Sequence, residues 1–187
     1  MLNTNPFSLL AETIPPFAMQ SFIIAMIVLI ALGTIIQMIH HKNITYFFNN
    51  AKKAKLQATR EIGAAEKASI LAKTTIVDIG TTSELGFGKR RLSHVLGMYG
   101  TIIFWVSSAV LVFCYTGADK SSSTIWSMLW HVGAILTCIG GYWLWFFLRV
   151  DVSAEAHPWY RIIKADLFVL ALLACSTFGL AWSYTQY

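Results

Sequence analysis

The chain has 187 residues, of which 56% are hydrophobic and only 12% are charged, and its mean hydropathy is +0.60. Soluble domains carry about 25% charged residues, so this chain has too few polar side chains to cover a water-facing surface. That excludes an ordinary soluble enzyme. The net charge of +5 lies in the segments between apolar blocks, which argues against nucleic acid as a partner.

Four apolar blocks cover residues 17–39, 95–115, 125–148 and 162–183. Each is close to the roughly 20 residues that a helix needs to cross about 30 Å of hydrocarbon. Because no water reaches that layer, the backbone must satisfy its own hydrogen bonds, as a helix does. The sequence predicts an all-α integral membrane bundle of four transmembrane helices. The expected parts are an N-terminal segment with the first helix (1–41), a basic connector (42–93) and a three-helix membrane core (94–187).

The N-terminal segment contains no Lys or Arg before the first block, and Pro15 and Pro16 end it. A cleavable signal peptide has a positively charged start and a shorter apolar core. We therefore expect the first block to be retained as a membrane span.

The connector holds ten Lys and Arg residues against four acidic residues. Its residues 50–73 are rich in Ala, Lys, Glu, Leu and Ile and contain no Pro, a composition that favours a helix. Ala58, Ile62, Ala65 and Ala72 fall loosely on one side of it. We expect an amphipathic helix at the membrane surface or under a partner protein, with a solvated charged helix as the alternative.

The Lys and Arg residues also predict the orientation in the membrane. Ten lie in the first connector, and Arg149, Arg161 and Lys164 follow the third block, whereas Lys120 stands alone in the other loop. The positive-inside rule then places the connector in the cytoplasm and both chain ends in the periplasm. The expected location is the inner membrane.

The five histidines are the first candidates for cofactor chemistry. A b-type haem between spans needs two imidazoles at similar depth. His94 lies at the predicted cytoplasmic edge, whereas His131 lies about 9 Å inside the opposite edge, so roughly 20 Å separates them and they cannot share one iron. Gly97, one turn from His94, would let a flat ring approach the helix. The candidate ligands are His94, His157, His40 and His41, and ordinary hydrogen-bonded interfacial histidines are the alternative.

A second group of ionisable residues lies at the same edge. Lys164 and Asp166 stand near the start of the fourth block, and Arg91 precedes the second. Ionisable residues at this depth are often functional, so the three are candidates for a quinone site. The alternative is a snorkelling Lys and an Asp favoured at a helix start. No cysteine spacing indicates a metal site, and no hydrolase or phosphate-loop motif is visible.

Several local patterns between residues 90 and 182 resemble the cytochrome b-like membrane subunits of respiratory complexes. They are Arg91-Leu-Ser-His94, Trp130-His131-Val-Gly-Ala, Gly140-Gly141, Leu-Arg149 and Ala165-Asp166-Leu-Phe-Val-Leu. Similar subunits occur in nitrate reductase, as its gamma chain, and in the quinone-interacting membrane-bound oxidoreductase. The stretch Gly-Phe-Gly-Lys-Arg-Arg-Leu-Ser-His94 most resembles the membrane anchors of adenylylsulfate reductase. The resemblance covers about half of the chain.

The resemblance implies a membrane anchor without catalytic activity of its own. Such an anchor docks a cytoplasmic flavin and iron–sulfur oxidoreductase and links it to the quinone pool, through haem b or directly. His94 matches the family's histidine on the second span, whereas the larger relatives have a fifth span whose histidines complete haem ligation. The basic connector suits a partner with an acidic face. A purely structural membrane subunit without a redox cofactor is the alternative.

Overall fold

The computed structural model of the chain describes residues 4–40, 42–58, 60, 63–85, 88–116, 124–150, 157–164 and 166–186. Within these ranges the chain forms helices joined by turns, with no strand. Four helices are long and apolar enough to cross a membrane: Pro16–His40, Lys89–Cys114, Thr124–Leu148 and Asp166–Thr185. They are called the first to fourth spans below. The predicted all-helical fold with four membrane-spanning helices is confirmed.

Two span boundaries differ from the prediction. The second span begins at Lys89, so the helix includes Arg90 and His94 and crosses the expected boundary between residues 93 and 94. The fourth span begins only at Asp166, because the Oδ2 atom of its side chain accepts a hydrogen bond from the backbone N–H of Ile163 at 2.8 Å. A side chain that reaches back to a backbone N–H three residues earlier is one half of a capping box.

The spans alternate in direction, so the connector, the end of the third span and the start of the fourth lie on one side of the bundle. This side also carries Arg149, Arg161 and Lys164 and is called the basic side below. The other is the opposite side, where residues 4–16 and the end of the fourth span lie.

A seam of small residues joins the second and third spans. Along the second span the contact positions alternate in steps of four and three, as in a coiled coil: Ser93, Gly97, Gly100, Phe104, Ser107 and Leu111. A Cβ atom added to Gly133 would lie 2.6 Å from the backbone N of Phe104, and one added to Gly140 would lie 2.4 Å from that of Gly97. The two helices are therefore in backbone contact, the arrangement that small residues permit in membranes.

The fourth span packs against the third. The Tyr142 hydroxyl and the Thr177 Oγ1 atom are 2.8 Å apart, and Gly179 leaves room for the Trp130 ring. Leu173 and Ser176 are buried at this contact. The third span is thus the shared neighbour of the second and the fourth.

The N-terminal segment closes the opposite side of the bundle. The backbone carbonyl of Pro6 accepts hydrogen bonds from the Trp182 Nε1 atom at 3.1 Å and the Gln186 Nε2 atom at 2.9 Å. Phe7 packs edge-on against Trp130, with 6.0 Å between ring centroids. Sequence reasoning missed this contact, since residues 4–7 have no apolar periodicity that would indicate it.

The first span contacts the rest of the described chain near its start. Met19 is buried there, and the Gln20 Nε2 atom donates to the carbonyl of Val112 at 3.3 Å. From residue 24 to residue 40 every side chain is exposed. Most of the first span is therefore apolar and left uncovered by the rest of the described chain.

The connector differs from the single helix predicted for residues 50–73. It contains two helices, Asn43–Gln57 and Ala64–Lys73, and the second continues into a π-helical turn, Thr74–Ile79. Ala58 and Gly63 have extended backbones that interrupt the predicted helix. Ile62, on the predicted apolar side, lies outside the described residues. The amphipathic face expected there stays a prediction.

The seam of small residues predicts that one of two Gly→Ala substitutions lowers the free energy of unfolding and the other does not. Gly133→Ala should reduce the free energy of unfolding by about 1–3 kcal/mol, because the added methyl group collides with the backbone of the neighbouring helix. Gly97→Ala is the matched control, since a Cβ there meets no atom within 4 Å. Thermal unfolding in detergent, followed by circular dichroism, measures both. Equal stability of the two variants would contradict the seam.

Candidate functional site

An open groove lies between the second and fourth spans on the basic side. Its volume is about 440 Å³, and its floor is the third span. The lining is largely apolar and includes Gly97, Gly140, Gly141, Phe168, Leu172 and Leu173. The groove exists because the second and fourth spans both pack against the third and leave a gap between them.

Glycine shapes this groove in two ways. Gly140 lets the floor helix approach the second span, whereas a Cβ on Gly97 would meet no atom within 4 Å. The missing side chain of Gly97 therefore leaves space in the groove. The result is an open slot with a largely apolar lining, and concave apolar sites with a few polar groups are where proteins bind small hydrophobic ligands.

Two polar side chains stand where the groove reaches the basic side. His94 and Arg90 line it, both are exposed, and neither forms a hydrogen bond or ion pair with another residue in the described part of the chain. A neutral imidazole both donates and accepts hydrogen bonds, and a guanidinium only donates. Together they offer two donors to an acceptor atom at the mouth of an apolar slot.

The predicted partner of His94 in haem ligation lies at a different level. Contacts of Gly140 with Ser93 and Gly97 put His94 beside the residues just after Gly140 on the third span. The backbone N–H of His157 donates to the carbonyl of Arg149, about eight residues further along. The offset between these two backbone levels is roughly 12 Å. Ligation of one haem by His94 and His157 stays a prediction.

The remaining candidate haem ligands lie away from the groove or outside the described chain. His40 ends the first span and is exposed, and the groove has no lining residue from that span. His41 is outside the described residues. Haem ligation by His94 with either of them stays a prediction, and no step below depends on haem.

Arg149 forms a buried cluster that sequence reasoning missed. Its side chain is 3% exposed and lies over the Trp145 ring at 4.4 Å from the ring centroid. The guanidinium donates to the carbonyl of Pro158 at 2.9 Å and to that of Arg161 at 2.5 Å, and it pairs with the Asp166 carboxylate at 2.5 Å. The cluster fixes residues 157–164 against the end of the third span.

The structure separates the three predicted quinone-site residues. Asp166 belongs to the Arg149 cluster, and Lys164 is exposed. Arg91 donates to the backbone carbonyl of Thr81 at 2.8 Å and to its Oγ1 atom at 2.9 Å, which holds the connector against the second span. Arg90, which the sequence did not single out, lines the groove instead.

His131 belongs to a buried polar network toward the opposite side. Its Nδ1 atom lies 2.7 Å from the backbone carbonyl of Ser127, and its Nε2 atom lies 2.7 Å from the Ser183 Oγ atom. Because a carbonyl only accepts hydrogen bonds, Nδ1 carries the proton, and in the neutral ring the Ser183 hydroxyl donates to Nε2. Both nitrogens are thus engaged, and His131 joins the third span to the fourth.

Comparisons with protein families, curated proteins and solved structures find no match to this chain. The resemblance to respiratory membrane anchors therefore stays a prediction from sequence. Any function must be argued from the groove, the buried clusters and the distribution of charge.

Removing the Arg149 guanidinium should release the segment between the third and fourth spans. In Arg149→Met the carboxylate of Asp166 loses its cation, and the carbonyls of Pro158 and Arg161 lose their donor. Breaking a buried pair from one side is strongly destabilising. We expect trypsin to cleave the solubilised protein after Arg161 and Lys164 several-fold faster.

Arg60→Met is the control for this variant. Arg60 pairs with Glu66, but their side chains are 70% and 45% exposed, and exposed pairs contribute little. Its cleavage after Lys164 should match the parent chain. Unchanged cleavage in Arg149→Met, measured by mass spectrometry of the fragments, would show that the cluster does not hold this segment.

The His131 network makes a quantitative prediction. A double-mutant cycle of His131→Ala and Ser183→Ala should give a coupling energy of about 1 kcal/mol, the range found for interhelical hydrogen bonds in membranes. Unfolding in mixed detergent measures it. Additive effects of the two substitutions would rule out a direct hydrogen bond between these side chains.

Proposed function

We propose that this chain is the membrane anchor and electron-transfer subunit of an oxidoreductase complex. It docks a cytoplasmic flavin and iron–sulfur enzyme, of the adenylylsulfate reductase kind, and links that enzyme to the quinone pool. The observation that carries the proposal is the apolar groove with His94 and Arg90 at its mouth on the basic side. The resemblance of residues 90–182 to respiratory membrane anchors agrees with it.

A quinone matches the chemistry of the groove. Its flat ring suits the slot left by Gly97 and floored by Gly140, and its isoprenoid tail suits the apolar wall that includes Phe168. One ring carbonyl can accept hydrogen bonds from His94 and Arg90. A quinone in the bilayer can reach a groove between two spans laterally, without crossing a polar surface.

The reaction at this site is the two-electron reduction of the quinone. Two electrons arrive from the iron–sulfur cluster of the docked enzyme, two protons arrive from water on the basic side, and a quinol leaves to the bilayer. His94 supplies a proton to the ring oxygen as a general acid and regains one from water. Arg90 stabilises the negative charge that develops on that oxygen.

Docking is proposed to use the basic side, which in this orientation faces the cytoplasm of a cell with an inner membrane. Exposed connector cations there, among them Lys67 and Lys73, favour a partner with an acidic face. Both chain ends then face the periplasm. Labelling of single cysteines placed in the connector tests this orientation, and labelling from the periplasm would overturn the docking proposal.

The proposed electron transfer does not require haem b. The route above runs from the partner's cluster directly to the quinone, so it requires no second imidazole beside His94. A reduced-minus-oxidised absorption spectrum of the purified chain tests for haem independently of docking.

A purely structural subunit is the alternative function. It is favoured by Asp166, a candidate quinone-site residue that forms an ion pair with Arg149 and is therefore engaged in the fold. A structural subunit would retain the partner enzyme at the membrane, but its groove would hold only lipid. The two functions differ in what happens when the groove mouth is altered.

The decisive experiment uses membrane vesicles that carry the full chain with its partner reductase. His94→Ala and Arg90→Ala should each lower reduction of a short-chain quinone analogue at low quinone concentration by about tenfold, the effect of one lost hydrogen bond to the ligand. Reduction of ferricyanide, which takes electrons from the soluble enzyme, should not change.

Lys89→Ala is the charge-matched control, because Lys89 is the adjacent exposed cation and does not line the groove. It should keep parental quinone reduction. Unchanged quinone reduction in both groove variants would contradict the quinone site. Purification of the chain from its own membranes without any protein that contains flavin and an iron–sulfur cluster would contradict the anchor.

A further inference from the structure

The connector begins with a helix that starts at the end of a membrane span. The first span ends at His40, and the next helix, Asn43–Gln57, starts three residues later. Lys42 between them has a left-handed backbone, with φ of 54° and ψ of 24°, which is uncommon outside glycine and interrupts the helix. The short link places the start of the Asn43–Gln57 helix at the end of the first span.

One face of this helix is apolar and uncovered. At 100° per residue, Ile44, Phe47, Phe48 and Ala51 share a face, which ends at Lys55. Asn49, Asn50 and Lys53 lie on the other face, together with Tyr46 and Leu56. The Phe47 and Phe48 side chains are 68% and 65% exposed, and Ile44 is 41% exposed. No other described part of the chain buries them.

The charge of the same helix has one sign. Its basic residues are Lys52, Lys53 and Lys55, with Lys42 just before it, and residues 43–57 contain no acidic side chain. Lysine stems can lie along apolar surface while the ammonium groups remain at the headgroups. Juxtamembrane lysines of this kind are attracted to anionic lipid.

We propose that the Asn43–Gln57 helix is a surface anchor that binds anionic lipid. Phe47 and Phe48 enter the boundary between headgroups and acyl chains, and the lysines contact the phosphates. The proposal is independent of any redox role. It places the lipid contact at residues 44–51, which differ from the residues 58–72 that the sequence pattern had indicated.

Lipid is favoured over a protein partner by the tether. A face that begins immediately after a membrane span already lies at the bilayer surface, and aromatic residues are enriched at that depth. Binding of the Asn43–Gln57 helix to the bilayer would also determine where the rest of the connector leaves the membrane surface. The positions of the connector cations relative to the bilayer would follow from that.

The test measures depth residue by residue in the full chain. Nitroxide labels are placed singly at positions 44, 45, 47, 48, 49, 51 and 53 of a chain whose three cysteines are replaced by serine, in nanodiscs with anionic lipid. The accessibility to oxygen relative to a water-soluble nickel complex should peak at 44, 47, 48 and 51, at depths of about 5–10 Å below the phosphates. It should be lowest at 49 and 53.

Two outcomes would overturn the proposal. One is uniform water accessibility along the helix. The other is a label at 47 that is shielded from both reagents and shows dipolar broadening that disappears on dilution with unlabelled chain, which would indicate a second copy on this face.

A second measurement leaves the native cysteines in place. Hydrogen exchange of residues 43–57 should be several-fold slower in anionic than in zwitterionic nanodiscs. Phe47→Ser with Phe48→Ser should abolish the difference, whereas the control Thr45→Ser with Asn49→Ser should retain it. Equal exchange of the parent chain in both lipids would contradict anionic lipid binding.

Discussion

Backbone contact between the second and third spans is the constraint on which the rest of the membrane core depends. Gly100, Gly133 and Gly140 bring the two helices so close that any added Cβ would meet backbone atoms. The fourth span then packs on the free flank of the third, and a gap remains between the second and the fourth. The groove is therefore a product of the same glycine packing that holds the helices together.

The Arg149 cluster sets the other wall of that groove. A buried guanidinium is tolerated because Pro158, Arg161 and Asp166 supply acceptors and Trp145 supplies a ring face. These contacts fix where the fourth span begins and so which of its residues line the gap. Hydropathy places Arg149 in a loop, but in the structure its side chain is buried and holds the loop against the third span.

Composition and block length were enough to predict the four spans, since the absence of water in hydrocarbon leaves the backbone few choices. The site was less predictable. His94 was identified, but Arg91 was favoured over Arg90, and neighbours on a helix point about 100° apart, so only the packed bundle decides which one faces the groove. Arg149 was read as a loop cation because its partner Asp166 is 17 residues away, and nothing local indicates the pair.

The sequence suggested a haem pair among the histidines at one membrane edge, and that stays a prediction. Three of the described imidazoles occupy different environments: His94 at a groove mouth, His157 beside the Arg149 cluster, and His131 between two serines near the opposite side. The groove lies on the basic side, while residues 4–7 and the His131 network lie on the other side. The proposed quinone site would therefore lie in the leaflet on the basic side. Electrons and protons would enter from the same side, and quinone reduction here would not by itself move charge across the membrane.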